Sequence, residues 1–273
     1  MSAAPPRPSS VDTLAPLHRR RLRQSGFRPQ HPRTGRARLA SQKLELCFTL
    51  TEAAFPIAIT INDVDAASKH LALLVNAVTE LDLTYWKSLS RCLEAVLLIN
   101  RGNHDTGVNA LRAALAICDE TGGMSRYPTF LGAIADGLSA LGQTDEARVV
   151  LDQALGKADR DGEEWCIPDL LCRKGALGLQ EAGPSSVLSD TAEQCLLEAL
   201  ALAQKQGALF WELRSALLLA RLWLDRERPG DARQVLASVY GQFVEGFEVA
   251  ELCAARQLLD GLPPHRYRAH RVP

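Results

Sequence analysis

The chain has 273 residues, 47% of them hydrophobic and only 5% aromatic, with a formal net charge of −1. Leucine and alanine dominate, so composition favours helix, and no apolar stretch approaches the roughly 20 residues a membrane span needs. The seven cysteines are scattered without a Cys-x-x-Cys pair; that pattern points to neither a zinc site nor a disulfide framework and suits a reducing cytoplasm.

Residues 1–43 hold ten Arg or Lys against one acid, Asp12, giving +9 and leaving −10 for the remainder. Pro5, Pro6, Pro8, Pro16, Pro29 and Pro32 interrupt this stretch, so it is expected to be a disordered basic arm. Such an arm suits nucleic acid or anionic lipid, and its Arg-rich, acid-poor character also fits a transit peptide. The competing reading is a tail that binds nothing specifically. No apolar segment typical of a secretory leader is visible in it.

From Leu44 the pattern becomes helical. Leu44–Ile59 reads as a helix with Pro56 near its end, and Asn62-Asp63 supplies a turn and N-cap for Val64–Leu81. Helices are then predicted over 84–100 and 105–120, over 126–141 and 144–159, and over 163–181 and 190–206. A fifth pair follows over 208–226 and 230–243, and a last helix over 248–262 covers the end. Pro263-Pro264 begins a disordered tail, 263–273. The fifth pair shows why the elements are helices: Leu213, Ala216, Leu217, Ala220, Trp223 and Leu224 fall on one face at a period of 3.6.

A small residue returns at Ala67, Gly107, Ala147, Ala192 and Ala232, at intervals of forty with one of forty-five. The longer interval contains the loop 183–189. A turn series keeps the same beat at Asn62, Gly102, Gly142 and Ala182-Gly183, and glycines keep it at Gly122, Gly162 and Gly207. Leu and a small residue follow four and seven places after each marker, as Leu111 with Ala114 and Leu151 with Ala154. Twelve places before it stands Ala95, Ala135 or Ala220, where two helices are expected to approach closely. This arrangement resembles the tetratricopeptide repeat, although forty exceeds the usual thirty-four. The fold predicted over 44–262 is all-α, a right-handed superhelical solenoid of about five tetratricopeptide-like helix pairs plus a capping helix.

No Gly-rich loop stands between a strand and a helix with Lys and Ser or Thr behind it, as a nucleotide site needs. The six histidines lack partners at metal-ligand spacing. No catalytic, cofactor-binding or metal residue is therefore assigned, although an enzyme site assembled from distant helices stays an open alternative. The remaining candidates are the aromatics Trp86, Tyr127, Trp165 and Trp211, opening the first helix of successive pairs, with Arg91, Arg126, Arg173 and Arg214 nearby. They read either as anchors of a ligand or partner groove or as inter-repeat packing with ordinary ion pairs to Glu94, Asp169 or Glu212.

Four segments carry a further resemblance: Tyr85-Trp86-Lys87-Ser88-Leu89-Ser90-Arg91-Cys92-Leu93-Glu94, Arg126-Tyr127-Pro128, Gln206-Gly207-Ala208-Leu209-Phe210-Trp211-Glu212-Leu213-Arg214, and Val239 to Phe247. They are similar to the C-terminal repeat region of bacterial predicted ATPases of the signal-transduction (STAND) type. Those proteins join it to a P-loop ATPase module and to a winged-helix transcriptional-regulator or adenylate cyclase domain. No Walker motif, winged helix or cyclase domain occurs here, so their catalysis and DNA recognition do not carry over. The resemblance implies a non-enzymatic sensor or interaction domain, detached from such a regulator, that takes a protein partner or small effector. Nucleic acid enters only through residues 1–43, and no membrane is expected.

Overall fold

The computed structural model describes residues 35–81, 84–120, 125–181 and 187–262. Among these every regular element is helical, with no strand. They fall into two compact units divided between Cys166 and Ile167. The first contains α1 (Gly35–Thr49), a π-helical turn (Leu50–Ala54), α2 (Phe55–Thr60), α3 (Val64–Leu81), α4 (Thr84–Asn100), α5 (His104–Glu120), α6 (Tyr127–Ala140), α7 (Thr144–Asp161) and a 3-10 turn (Glu164–Cys166). The second contains α8 (Ile167–Glu181), α9 (Val187–Gln206), α10 (Leu209–Asp225), α11 (Pro229–Tyr240) and α12 (Ala250–Gly261). Helices pack mainly as sequential pairs, α4 on α5 and α6 on α7 in the first unit, α8 on α9 and α10 on α11 in the second.

Helix starts differ from expectation by three residues or more at three places, one of them α8, which begins at Ile167 rather than 163 because a 3-10 turn precedes it. α1 begins at Gly35, inside the stretch assigned to the arm, because no proline stands between Pro32 and Pro56 and the intervening sequence is mostly good helix formers. Residues 1–34 lie outside the described residues, and with them most of the basic arm; so do the tail 263–273, Gly122 and the turn at Ala182-Gly183. α9 begins at Val187, within the expected loop, and Ser189 is buried. Pro56 is accommodated by the π turn. There the Phe55 N–H bonds the Leu50 carbonyl, one residue further back than in an α-helix, just before the proline that has no N–H to give.

One turn is used in pair after pair. A residue at positive φ ends the first helix: Asn62 (58°), Gly102 (84°) and Gly142 (76°) in the first unit, Glu227 (57°) in the second. The next N–H then reaches back five residues, from Asp63 to Ala58 (2.8 Å), Asn103 to Leu98 (3.0 Å), Gln143 to Leu138 (2.9 Å) and Arg228 to Trp223 (2.7 Å). This is the Schellman closure that satisfies orphan carbonyls. The carbonyl of that same residue accepts the first bond of the second helix, from Ala67, Gly107, Ala147 or Ala232. The turn series and the small-residue series are thus two ends of one motif.

Ala67, Ala147 and Ala232 have no exposed surface, and Ala192 almost none. At Gly107, the glycine of this series, the partner helix sets the size. A Cβ on Gly107 would lie 2.6 Å from Ile99 Cγ1, 2.9 Å from Ile99 N and 3.1 Å from the Ala95 carbonyl. The expected approach at Ala95 is therefore where α4 meets α5. Gly175 does the same between α8 and α9, its missing Cβ falling 2.6 Å from Leu196 Cγ and 3.2 Å from the Ala192 carbonyl. The five-residue insertion moved it out of the twelve-residue spacing. The residues four and seven places after each marker are all buried, from Leu111 and Ala114 to Leu236 and Val239.

Glu227 occupies a left-handed position that Gly fills in two sister turns, at a strain of roughly 1 kcal/mol. Its side chain is exposed. Glu227→Gly is expected to raise stability by roughly 0.5 kcal/mol, the rest of the relieved strain being offset by the greater freedom of glycine in the unfolded chain. A urea midpoint equal to or below that of the parent chain would refute the strain assignment.

Candidate functional site

The eight candidates divide between the units, five in the first and three in the second, and they have different surroundings. The longer loop shifts the register. Counting through it, Trp86, Arg126, Cys166, Trp211 and Glu251 occupy one repeat position. Tyr127 then stands one residue after it and Trp165 one before, about 100° away around a helix. The aromatics are not a single row on one face.

In the first unit Trp86 is 6% exposed and packs edge-on against Phe48 (4.8 Å) and Tyr85 (5.4 Å). It is an element of the core between α1 and α4. Arg91 is exposed. Arg126 sits before α6 at φ 68°, and its backbone N–H donates to both oxygens of the buried Glu163 carboxylate at 3.3 Å. A carboxylate at that place satisfies a helix N-terminus and opposes its partial positive charge. The Arg126 guanidinium lies 4.9 Å from the Trp165 ring centroid and 3.5 Å from Glu52 on the π turn. Tyr127 carries the Lys157 ammonium 4.7 Å over its ring, and Lys157 also pairs with Asp161.

In the second unit Arg214 spreads over Phe210 (5.2 Å) and Trp211 (5.4 Å) and grips Glu251 Oε1 with Nε at 3.0 Å and Nη2 at 2.7 Å. Arg173 donates to Asp169 one turn earlier on α8 at 3.0 Å. Burial and the neighbouring Arg214 guanidinium push Arg173 down to about 9, which still leaves it charged at neutral pH. Glu212 and Ser215 are buried beside them on α10. Of the partners expected from sequence, Asp169 is found on Arg173, while Arg214 takes Glu251.

One polar cluster was illegible in the sequence. Glu193 on α9 accepts from Trp223 Nε1 and from Arg226 and Arg228, while Arg226 also donates to Ser189 (2.7 Å) and Asp190 (2.6 Å). These residues read as a solvated face plus one apolar tryptophan. Only the burial of the Glu193 and Arg226 side chains, each 16% exposed, reveals a network that fastens α9 to the turn after α10.

No protein-family model matches the chain, and no curated protein sequence matches it. The geometry alone therefore carries the functional argument. Two arginine–aromatic stacks, Arg126 on Trp165 and Arg214 on Phe210 and Trp211, open first helices of different pairs, and all five side chains are partly exposed. Stacks of this kind pre-orient a guanidinium for carboxylates or backbone carbonyls. Among the described residues no group of three or more His, Cys, Asp or Glu is placed to hold a metal ion, and no helix is long and apolar enough to cross a membrane.

Three buried thiols, Cys47, Cys92 and Cys172, are held in their neutral form. Burial raises Cys172 to about 12, with Asp169 adding to the effect and Ser215 and Arg214 opposing it. Burial also raises Cys47, and it raises Cys92, where the neighbouring Cys118 thiol adds to the effect. A thiol with its pKa raised is a poor nucleophile. Because the folded pKa lies above the unfolded value of 9.0, the unfolded chain loses its proton first as pH rises. Stability is then full below about pH 9 and falls by roughly 1.4 kcal/mol per pH unit for each such thiol up to its folded pKa. Urea titrations at pH 8 and pH 10.5 are expected to show this loss, and Cys172→Ala to reduce its slope; identical slopes in both chains would contradict it.

Proposed function

We propose that the protein is a non-enzymatic helical-repeat sensor or protein-interaction domain, of the kind carried by regulatory ATPases and winged-helix transcriptional regulators. Its helix pairs stack as a right-handed superhelical solenoid, it works in the cytoplasm, and it takes a protein partner or small effector. The observation that carries this reading is the pair of partly exposed arginine–aromatic stacks, one in each unit, built on helices otherwise occupied with packing. The recurrence of one turn-and-small-residue motif supports it, since repeats of this length present extended binding surfaces. The neutral, buried thiols support a binding role over nucleophilic catalysis. Effector binding to such a domain acts by favouring one arrangement of a bistable partner over another.

A thermal-shift screen of the full chain against amino acids, nucleotides, sugars and peptides tests the proposal. The expected result is a saturable rise in Tm with a ligand that mass spectrometry recovers unchanged, lost in Trp165→Ala or Trp211→Ala. A ligand recovered chemically altered at a rate that depends on the protein would replace this reading with an enzyme.

A further inference from the structure

A groove of about 400 Å³ runs between α3 and α4 in the first unit. It shares no lining residue with the arginine–aromatic stacks, and what it binds is a question separate from the function proposed above. Its apolar walls are Leu71, Ala72 and Val75 from α3 with Leu97 and Leu98 from α4. Val75 remains 42% exposed although it lies against other apolar groups. The volume is within the range of small-ligand sites, roughly 300–1,000 Å³.

Charge marks its two ends. Arg101 lines the groove, and its Nη2 donates to Ser68 Oγ at 2.6 Å, while Ser68 in turn donates to the Val64 carbonyl at 2.6 Å. The guanidinium is thus oriented by a neutral hydroxyl whose own proton is already engaged. No carboxylate among the described residues pairs with it. Glu94 lines the same groove from two turns earlier on α4 and likewise pairs with no described cation. The two residues are seven apart, so their Cα atoms are separated by about 10.5 Å along the helix. Glu94 and Arg101 have not cancelled each other across the groove, as an i,i+4 pair does on one helix face.

We propose that this groove binds a short apolar peptide with free termini, its ammonium at Glu94 and its carboxylate at Arg101. The span decides the length. An extended chain covers about 3.3–3.6 Å per residue, so three residues bridge about 10 Å. Arginine suits the carboxylate because its planar fork donates to two oxygens at once. The apolar walls take the side chains, and Asn76, which also lines the groove, offers an amide to the peptide backbone. A fatty carboxylate shares the Arg101 end of this chemistry but leaves Glu94 without a role.

The test is calorimetric titration of the full-length chain with Leu-Leu-Leu, its C-terminal amide, its N-acetyl form and decanoate. Leu-Leu-Leu is expected to bind, the amide at least tenfold more weakly, and the acetylated peptide several-fold more weakly. Arg101→Ala is expected to reproduce the loss on amidation and Glu94→Gln the loss on acetylation. Both side chains are exposed, and circular dichroism checks that the fold is kept. Ala72→Phe, which fills the groove from an exposed position, is expected to abolish binding without unfolding the unit, whereas Trp211→Ala in the other unit leaves it unchanged. Absence of heat with Leu-Leu-Leu at 5 mM overturns the proposal. So does an affinity for the amide equal to that for the free acid, or decanoate binding as tightly as the peptide with no response to Glu94→Gln. None of these outcomes bears on the ligand that depends on Trp165 or Trp211.

Discussion

Gly107→Val is expected to lower the stability of the first unit by about 3 kcal/mol, enough to shift its thermal midpoint by roughly 6–12 °C. A new Cβ at this position lies 2.9 Å from the Ile99 backbone nitrogen and 3.1 Å from the Ala95 carbonyl. Neither atom is the movable tip of a side chain, so α4 and α5 must separate, and overpacking of this kind costs about 1–3 kcal/mol. Valine adds two further methyl groups to the same gap. Helix propensity acts in the opposite direction, since replacing glycine within a helix gains about 0.5–1 kcal/mol, and contact has to outweigh it. Gly156→Ala isolates that opposing effect. It lies within α7, and the nearest atom to its new Cβ is the flexible Arg160 Nη1 at 3.4 Å. It is expected to gain about 0.5–1 kcal/mol. Urea unfolding of the two variants beside the parent chain measures both signs; a stabilised Gly107→Val would mean that the small-residue series has no packing cause.

The same contact explains why so much of the fold was legible in the sequence. Gly107 is small because the Ile99 and Ala95 backbone lies against it, Ala147 and Ala232 share its place with no exposed surface, and the three recur because each stands a fixed five residues after a left-handed turn. Steric requirements leave a residue-type signature, and a period makes it visible. The failures came where the chemistry tolerates several residue types. Glu227 adopts the left-handed turn that Gly102 and Gly142 adopt, yet glutamate gives no sign of it. Gly175 was lost because five inserted residues broke its spacing. The candidate site was less legible still. Trp86 and Trp211 stand at one repeat position, but Phe48 and Tyr85 enclose the first while Arg214 covers the second. Their surroundings are set by residues of other helices, which no local spacing encodes. Glu251, the partner of Arg214, lies thirty-seven residues away.

That pair is where removing one group has the next largest expected effect. Arg214 holds Glu251 through two donors, at 28% and 18% side-chain exposure, and the other carboxylate oxygen, Oε2, is buried without a hydrogen-bond partner. Arg214→Ala leaves this carboxylate on α12 without its clamp and strips the cation from Phe210 and Trp211. Breaking a fully buried pair costs about 3–5 kcal/mol; partial exposure reduces this, and relief of the repulsion between Arg214 and Arg173 offsets a little more, giving about 2 kcal/mol. Arg214→Lys is expected to recover less than half, because a single ammonium cannot reproduce the fork. Glu251→Gln keeps the shape and is expected to cost about 1–2 kcal/mol. The Arg214→Ala/Glu251→Gln cycle is then expected to show coupling of about 1 kcal/mol or more, persisting at 1 M salt because the pair is shielded from solvent ions. Coupling below about 0.3 kcal/mol would reduce the contact to an ordinary surface pair. If the coupling is present, hydrogen exchange in Arg214→Ala is expected to quicken first in α12, the helix that Glu251 ties to α10.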